Sequence, residues 1–232
     1  MSVTSGPHTT STSTGPASAT GTFPTGLRRV LGPLTLPAMF VCLLATGPLD
    51  PFSDDSAKPS AQLPQMLGHV GDVRAMSALE LVAAALMVGV VLFFVGGTRG
   101  RGRGLGNAGA VIGTLGTIGL SFIAVHHLVM AALADLPPTT GTQVLDALDA
   151  AVGPGIFPLF FAAPAAILLF VIAGFRAGFV PLPALALGCA FYVGELVPGL
   201  PHGELVPLLL GLVASTWIAV TLLRRPGTGH VA

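Results

Sequence analysis

The chain of 232 residues is 52% hydrophobic and only 9% charged, with a mean hydropathy of +0.84, whereas an ordinary soluble domain carries about 25% charged residues; this excludes a soluble globular protein. Ten Lys and Arg balance ten Asp and Glu, which excludes the basic excess that electrostatic binding to nucleic acid needs. Two cysteines cannot staple a chain with 31 Gly and 20 Pro, so the composition is that of an all-α, polytopic membrane helix bundle without a disulfide framework.

Three segments follow in chain order. Residues 1–27 are rich in Ser, Thr, Gly and Pro, have no apolar period and carry no Lys or Arg. Such a stretch buries too little surface to offset its ordering entropy, and it is expected to be a disordered tail. Residues 28–225 hold the apolar runs of a transmembrane domain, and 226–232 form a short second tail. The cationic pair Arg28-Arg29 follows the first tail, so that tail is not itself a signal peptide. Ala45-Thr46-Gly47 resembles the cleavage site of a late-starting signal, but Pro48 directly after it argues for an uncleaved first span. Cys42 has no lipoprotein-anchor context around it.

A bilayer core of about 30 Å needs about 20 apolar helical residues. Six stretches approach that length: Arg29 to Thr46, Ser77 to Gly96, Leu105 to Ala132, Gly153 to Ala173, Phe179 to Val197 and Glu204 to Leu223. Pro33 and Pro37 in the first, and Pro158 and Pro164 in the fourth, predict kinks. Just before the fourth, Thr142 to Val152 groups Val144, Leu145 and Leu148 on one side, the pattern of a short amphipathic helix lying on the outer surface.

Charge placement orients these spans. Arg28, Arg29, Arg99, Arg101, Arg103, Arg176, Arg224 and Arg225 all fall in loops on one side if six spans are counted; only Lys58 and Arg74 fall on the other. Positive charge accumulates on the cytoplasmic face, so both termini are expected inside, in the cytoplasmic membrane. All ten carboxylates lie on or near the opposite side. Sorting of charges between loops explains the Asp residues; a cation-attracting outer vestibule is the sharper alternative.

Gly104 to Gly109 reads G-x-G-x-x-G, the dinucleotide fingerprint. That motif needs a preceding strand in a βαβ unit, and here an Arg-Gly loop leads into an apolar helix, so no dinucleotide is expected. The run Arg99 to Arg103 suits anionic headgroups better. Gly106, Gly109, Gly113 and Gly116 recur every three or four residues of the third span. Small residues at this spacing let helix backbones approach closely. The face they form is expected to be a packing surface, inside the bundle or against a second copy or another membrane protein.

His126-His127 is the most informative dipeptide, because ionisable side chains inside apolar helices are functional candidates by default. Neighbours on a helix diverge by about 100°, so the two rings are not expected to hold one ion together. The third outer hairpin repeats Gly-Glu-Leu-Val-Pro at 194–198 and 203–207, with His202 between them. Glu204 fits a first-turn acid that favours the helix dipole, and Glu80 reads the same way in span two; Glu195 lies about one turn inside span five. Glu80, His126, His127, Glu195, His202 and Glu204 are the candidate ligand- or proton-binding residues, with His127 and Glu195 the candidate metal ligands.

No HExxH, Walker A, EF-hand or CxxC motif occurs, and no cofactor is identified. In composition and span count the chain resembles the small, Ala/Gly-rich multi-pass membrane proteins of high-GC bacteria, a resemblance that implies no activity. The reading favoured is non-enzymatic: a transporter-like or ligand-binding bundle, or a membrane component of an assembly, with the lipid bilayer as its first partner. The alternative is a membrane-embedded metal- or haem-dependent enzyme using His127 and Glu195.

Overall fold

The computed structural model describes residues 25–52, 59–98, 100–196 and 205–224. Almost all of the first tail, the last tail with Arg225, Arg99, Lys58, and the hairpin with His202 and Glu204 lie outside the described residues.

The described chain is all helical. Its elements are α1 (Thr25–Thr46), a 3-10 turn (Gly47–Leu49), α2 (Pro59–Met66), α3 (Val70–Gly97), a second 3-10 turn (Gly100–Gly102), α4 (Arg103–Leu133), α5 (Pro138–Phe160), α6 (Ala162–Arg176), α7 (Leu182–Leu196) and α8 (Leu205–Arg224). Five stretches are long and apolar enough to cross a membrane: Val30–Leu49, Val70–Gly97, Gly100–Leu133, Pro158–Arg176 and Leu205–Arg224. Their outward faces are apolar as well, with Leu92 62%, Val111 66% and Val213 51% exposed. A surface of this kind is costly against water and suited to acyl chains.

The segment expected as the fifth span differs. It forms α7, of which 15 residues, Leu182–Leu196, are described, about 22 Å at 1.5 Å per residue; residues 197–204 beyond it lie outside the described residues. Its late start has a local cause. Gly178 takes φ +82°, and the Phe179 N–H donates to the Gly174 carbonyl while the Gly178 N–H donates to the Phe175 carbonyl, each at 3.0 Å. That is the paired-bond cap which ends a helix on a left-handed glycine. Pro181 then supplies the carbonyl that accepts the Leu185 N–H of α7.

The fourth expected span is also corrected. Gly153 does not open it: the amphipathic helix expected at 142–152 runs on without interruption to Phe160, and the chain breaks at Phe161 before α6. Pro164 accounts for the break, because it has no N–H for the Phe160 carbonyl four residues back and its ring crowds that oxygen. Pro154 and Pro158, by contrast, are carried inside α5.

Glycine sets the spacing of the central helices. A Cβ on Gly109 would stand 2.9 Å from the Phe170 ring, one on Gly116 2.6 Å from the backbone of Ala163, and one on Gly119 2.5 Å from the Leu159 carbonyl. Gly113 meets Val91 of α3 and Ala166 of α6, and Gly106 backs onto Thr98. These glycines of α4 thus pack on α3, α5 and α6 of the same chain. Without a hydrophobic force between helices in lipid, such close van der Waals contact is what holds them together. Gly104 to Gly109, the dinucleotide-like motif, simply forms the first turns of α4.

Two cores result. The larger joins Phe40 of α1, Met87 and Phe94 of α3 and Phe170 of α6, with the Phe94 and Phe170 rings stacked at 4.8 Å. The smaller joins Leu63 and Met66 of α2, Val73 and Met76 of α3, Met130 of α4 and Leu145 of α5. It forms a cap over one end of the bundle. At the other end Gly102 packs on Ala173 and Ala177, which brings the turn carrying Arg101 and Arg103 beside Arg176. The molecule therefore has an arginine end and, beneath the cap, an acidic end.

Candidate functional site

Between the two cores lies a cavity of about 930 Å³ that draws its walls from all eight α-helices. Its deep wall belongs to the large core: Phe40, Ile167 and Phe191 are 1%, 4% and 3% exposed and all line the cavity. Phe40 and Phe191 meet edge to face at 5.2 Å. Towards the acidic end the lining turns polar, with Asp50, Glu80, Asp149 and Glu195 contributing carboxylates and His126 and His127 contributing imidazoles. Asp50 and Asp149 are exposed, so they stand at the mouth. Among the described residues no Lys or Arg lines this space.

Glu80 and His127 are its fixed point. Nδ1 of His127 lies 2.9 Å from Oε2 of Glu80, and the two side chains are 16% and 10% exposed. A buried carboxylate is tolerable only when paired in this way. The Ser77 hydroxyl, one turn along α3 from Glu80, donates to the Ala124 carbonyl of α4 at 2.6 Å. Phe52, in the segment after the first 3-10 turn, stacks on the His127 ring with centroids 5.9 Å apart and planes 22° apart. Carboxylate on one side and phenyl on the other fix the imidazole.

Glu80 requires a correction. It is not a first-turn acid, because α3 begins at Val70, about 15 Å away along the helix axis. The helix starts early because Val73 and Met76 are recruited into the cap. A favourable helix dipole therefore does not explain this carboxylate, since that field fades within the first turn.

The adjacent histidines diverge. Their ring centroids are 6.1 Å apart; His127 turns to Glu80, while His126 stacks on Phe122 one turn back, at 6.2 Å. Asp149 is near enough to His126 to act on it electrostatically. Both imidazoles nonetheless face the same cavity. Glu195 lies in the last turn of α7 and lines it too, so four of the six candidate residues share one space. His202 and Glu204 are outside the described residues. Among the described residues no three His, Cys, Asp or Glu side chains are grouped so that they could hold a metal ion. His127 and Glu195 thus acquire no third ligand there.

Sequence reasoning missed Ser77, Phe52 and the place of Asp149 on the same cavity as His126. Ser77 carried a usable signal, standing three residues before Glu80 on the same helical face. Asp149 carried a weaker one in Gly153 four residues on, where a Cβ would come within 2.8 Å of the Asp149 carboxylate. Nothing local marks Phe52, which arrives from a separate chain segment.

Comparison of the chain with protein families, with curated proteins and with solved structures finds no match.

Proposed function

We propose that this chain is a non-enzymatic, multi-pass protein of the cytoplasmic membrane that receives a small, positively charged solute in the cavity at its acidic end. The arginine end faces the cytoplasm, in keeping with the accumulation of positive charge on that side of membrane proteins; both termini are on that side, and the cavity mouth faces outward. The observation that carries the reading is the charge of the lining: four carboxylates and two imidazoles, with no Lys or Arg among the described residues. A cation in a space with carboxylates on several walls meets favourable charge from more than one side, and the apolar side chains between them strengthen that attraction. The spread of the acids over α3, α5, α7 and the segment after α1 suits a molecule that touches several walls better than a single coordinated ion.

Equilibrium dialysis on protein reconstituted in neutral-lipid nanodiscs tests the charge preference, with empty nanodiscs as the blank. Tetraphenylphosphonium is expected to bind, while tetraphenylborate, of like size and opposite charge, is not. Equal binding of the two, or preference for the anion, would overturn the proposal.

A further inference from the structure

We infer that the occupant of the cavity is an amphipathic organic cation, held with its positive centre towards Glu80 and Asp149 and an aromatic or alkyl body against Phe40, Ile167 and Phe191. This rests on the reading of the cavity as a cation site and specifies which cation.

Three observations select the class. A space of about 930 Å³ falls in the range of pockets that enclose drug-sized molecules and is far larger than a desolvated metal ion needs. Among the described residues no three His, Cys, Asp or Glu side chains are grouped so that they could replace the water around a metal ion. An inorganic ion would then have to retain most of its water in a largely apolar space. A bulky organic cation carries a diffuse, weakly hydrated charge and has no such requirement.

The lining is also graded. Phe40, Ile167 and Phe191 are almost wholly buried and form the deep wall, whereas Asp50 and Asp149 are exposed at the mouth, with Glu80 buried between them at 7% exposure. A molecule with one charged and one apolar end matches this gradient in a single orientation. Aromatic rings favour the same class twice over: their faces attract a cation, and their edges and faces pack against an apolar body. Phe52 and Phe122, set against the two imidazoles, are placed beside the charged end, and Phe40 and Phe191 beside the apolar end.

The test compares three water-soluble cations in nanodiscs by isothermal titration calorimetry: potassium, tetramethylammonium and benzyltrimethylammonium. Affinity is expected to rise in that order, with the benzyl group adding about tenfold or more over tetramethylammonium, as burial of an apolar group of that size predicts. In Phe191→Leu the benzyl preference is expected to shrink by about threefold or more while tetramethylammonium binding persists, which separates loss of the wall from loss of folding. In Glu80→Gln both organic cations are expected to weaken together.

Equal affinities for tetramethylammonium and benzyltrimethylammonium, or competition by potassium at equal concentration, would overturn the inference and leave a plain cation site. Failure of all three cations and of tetraphenylphosphonium to bind would defeat the cation reading itself. A benzyl preference untouched by Phe191→Leu and Phe40→Leu alike would place the apolar body elsewhere and overturn the orientation.

Discussion

Glu80 of α3 and His127 of α4 meet at 2.9 Å, and Ser77 reaches the Ala124 carbonyl of the same partner helix at 2.6 Å. Two polar bonds thus pin α3 to α4 at the level of the cavity. Ser77→Ala is expected to lower stability by about 0.5–1.5 kcal/mol, the range for one interhelical hydrogen bond. Glu80→Ala is expected to cost more, about 1–3 kcal/mol, because it leaves the His127 Nδ1 without its carboxylate in a buried position. Thermal unfolding of the detergent-solubilised protein checks both, and the order of the two losses is the informative result.

Close packing of α4 on α6 makes a sharper prediction. Gly116→Ala places a methyl group 2.6 Å from the Ala163 backbone, which cannot swing aside as a side chain would, and a loss of about 1–3 kcal/mol is expected from overpacking. Gly104→Ala meets nothing within 4 Å and is expected to be neutral or slightly stabilising, since alanine is the better helix former. Parallel melting curves of the two variants decide the point.

Gly153 protects the position of an acid. The methyl group of Gly153→Ala would come within 2.8 Å of the Asp149 Oδ1 and push that carboxylate off the cavity mouth. Cation binding is expected to weaken by about 1.5- to 5-fold, as suits an exposed charge. Unfolding temperature is expected to stay near that of the wild type, because the flexible side chain can move. Asp149→Asn should give a similar loss of affinity.

Orientation is open to a direct test. A phosphatase reporter fused after Arg225 is expected to be inactive, and one inserted after Asp146 active, if the arginine end lies in the cytoplasm. The reverse pattern would turn the cavity mouth inward.

Composition and periodicity were enough to determine the membrane character, the all-α class and the close-packing role of the α4 glycines, because each depends on residue type and helical spacing alone. Charge order along the chain was likewise enough to separate an arginine end from an acidic one. Three features needed the tertiary structure. The length of α3 depends on Val73 and Met76 finding Met66, Met130 and Leu145, and that contact moved Glu80 from a helix end to the middle of a buried pair. The break at Phe161 depends on whether one proline bends a helix or ends it, which neighbouring walls decide as much as the proline does. Convergence of Glu80, His126, His127 and Glu195 on one cavity depends on how helices distant in sequence rotate against each other. Helical period fixes which residues share a face; only the packing of glycine, phenylalanine and methionine surfaces fixes what that face meets.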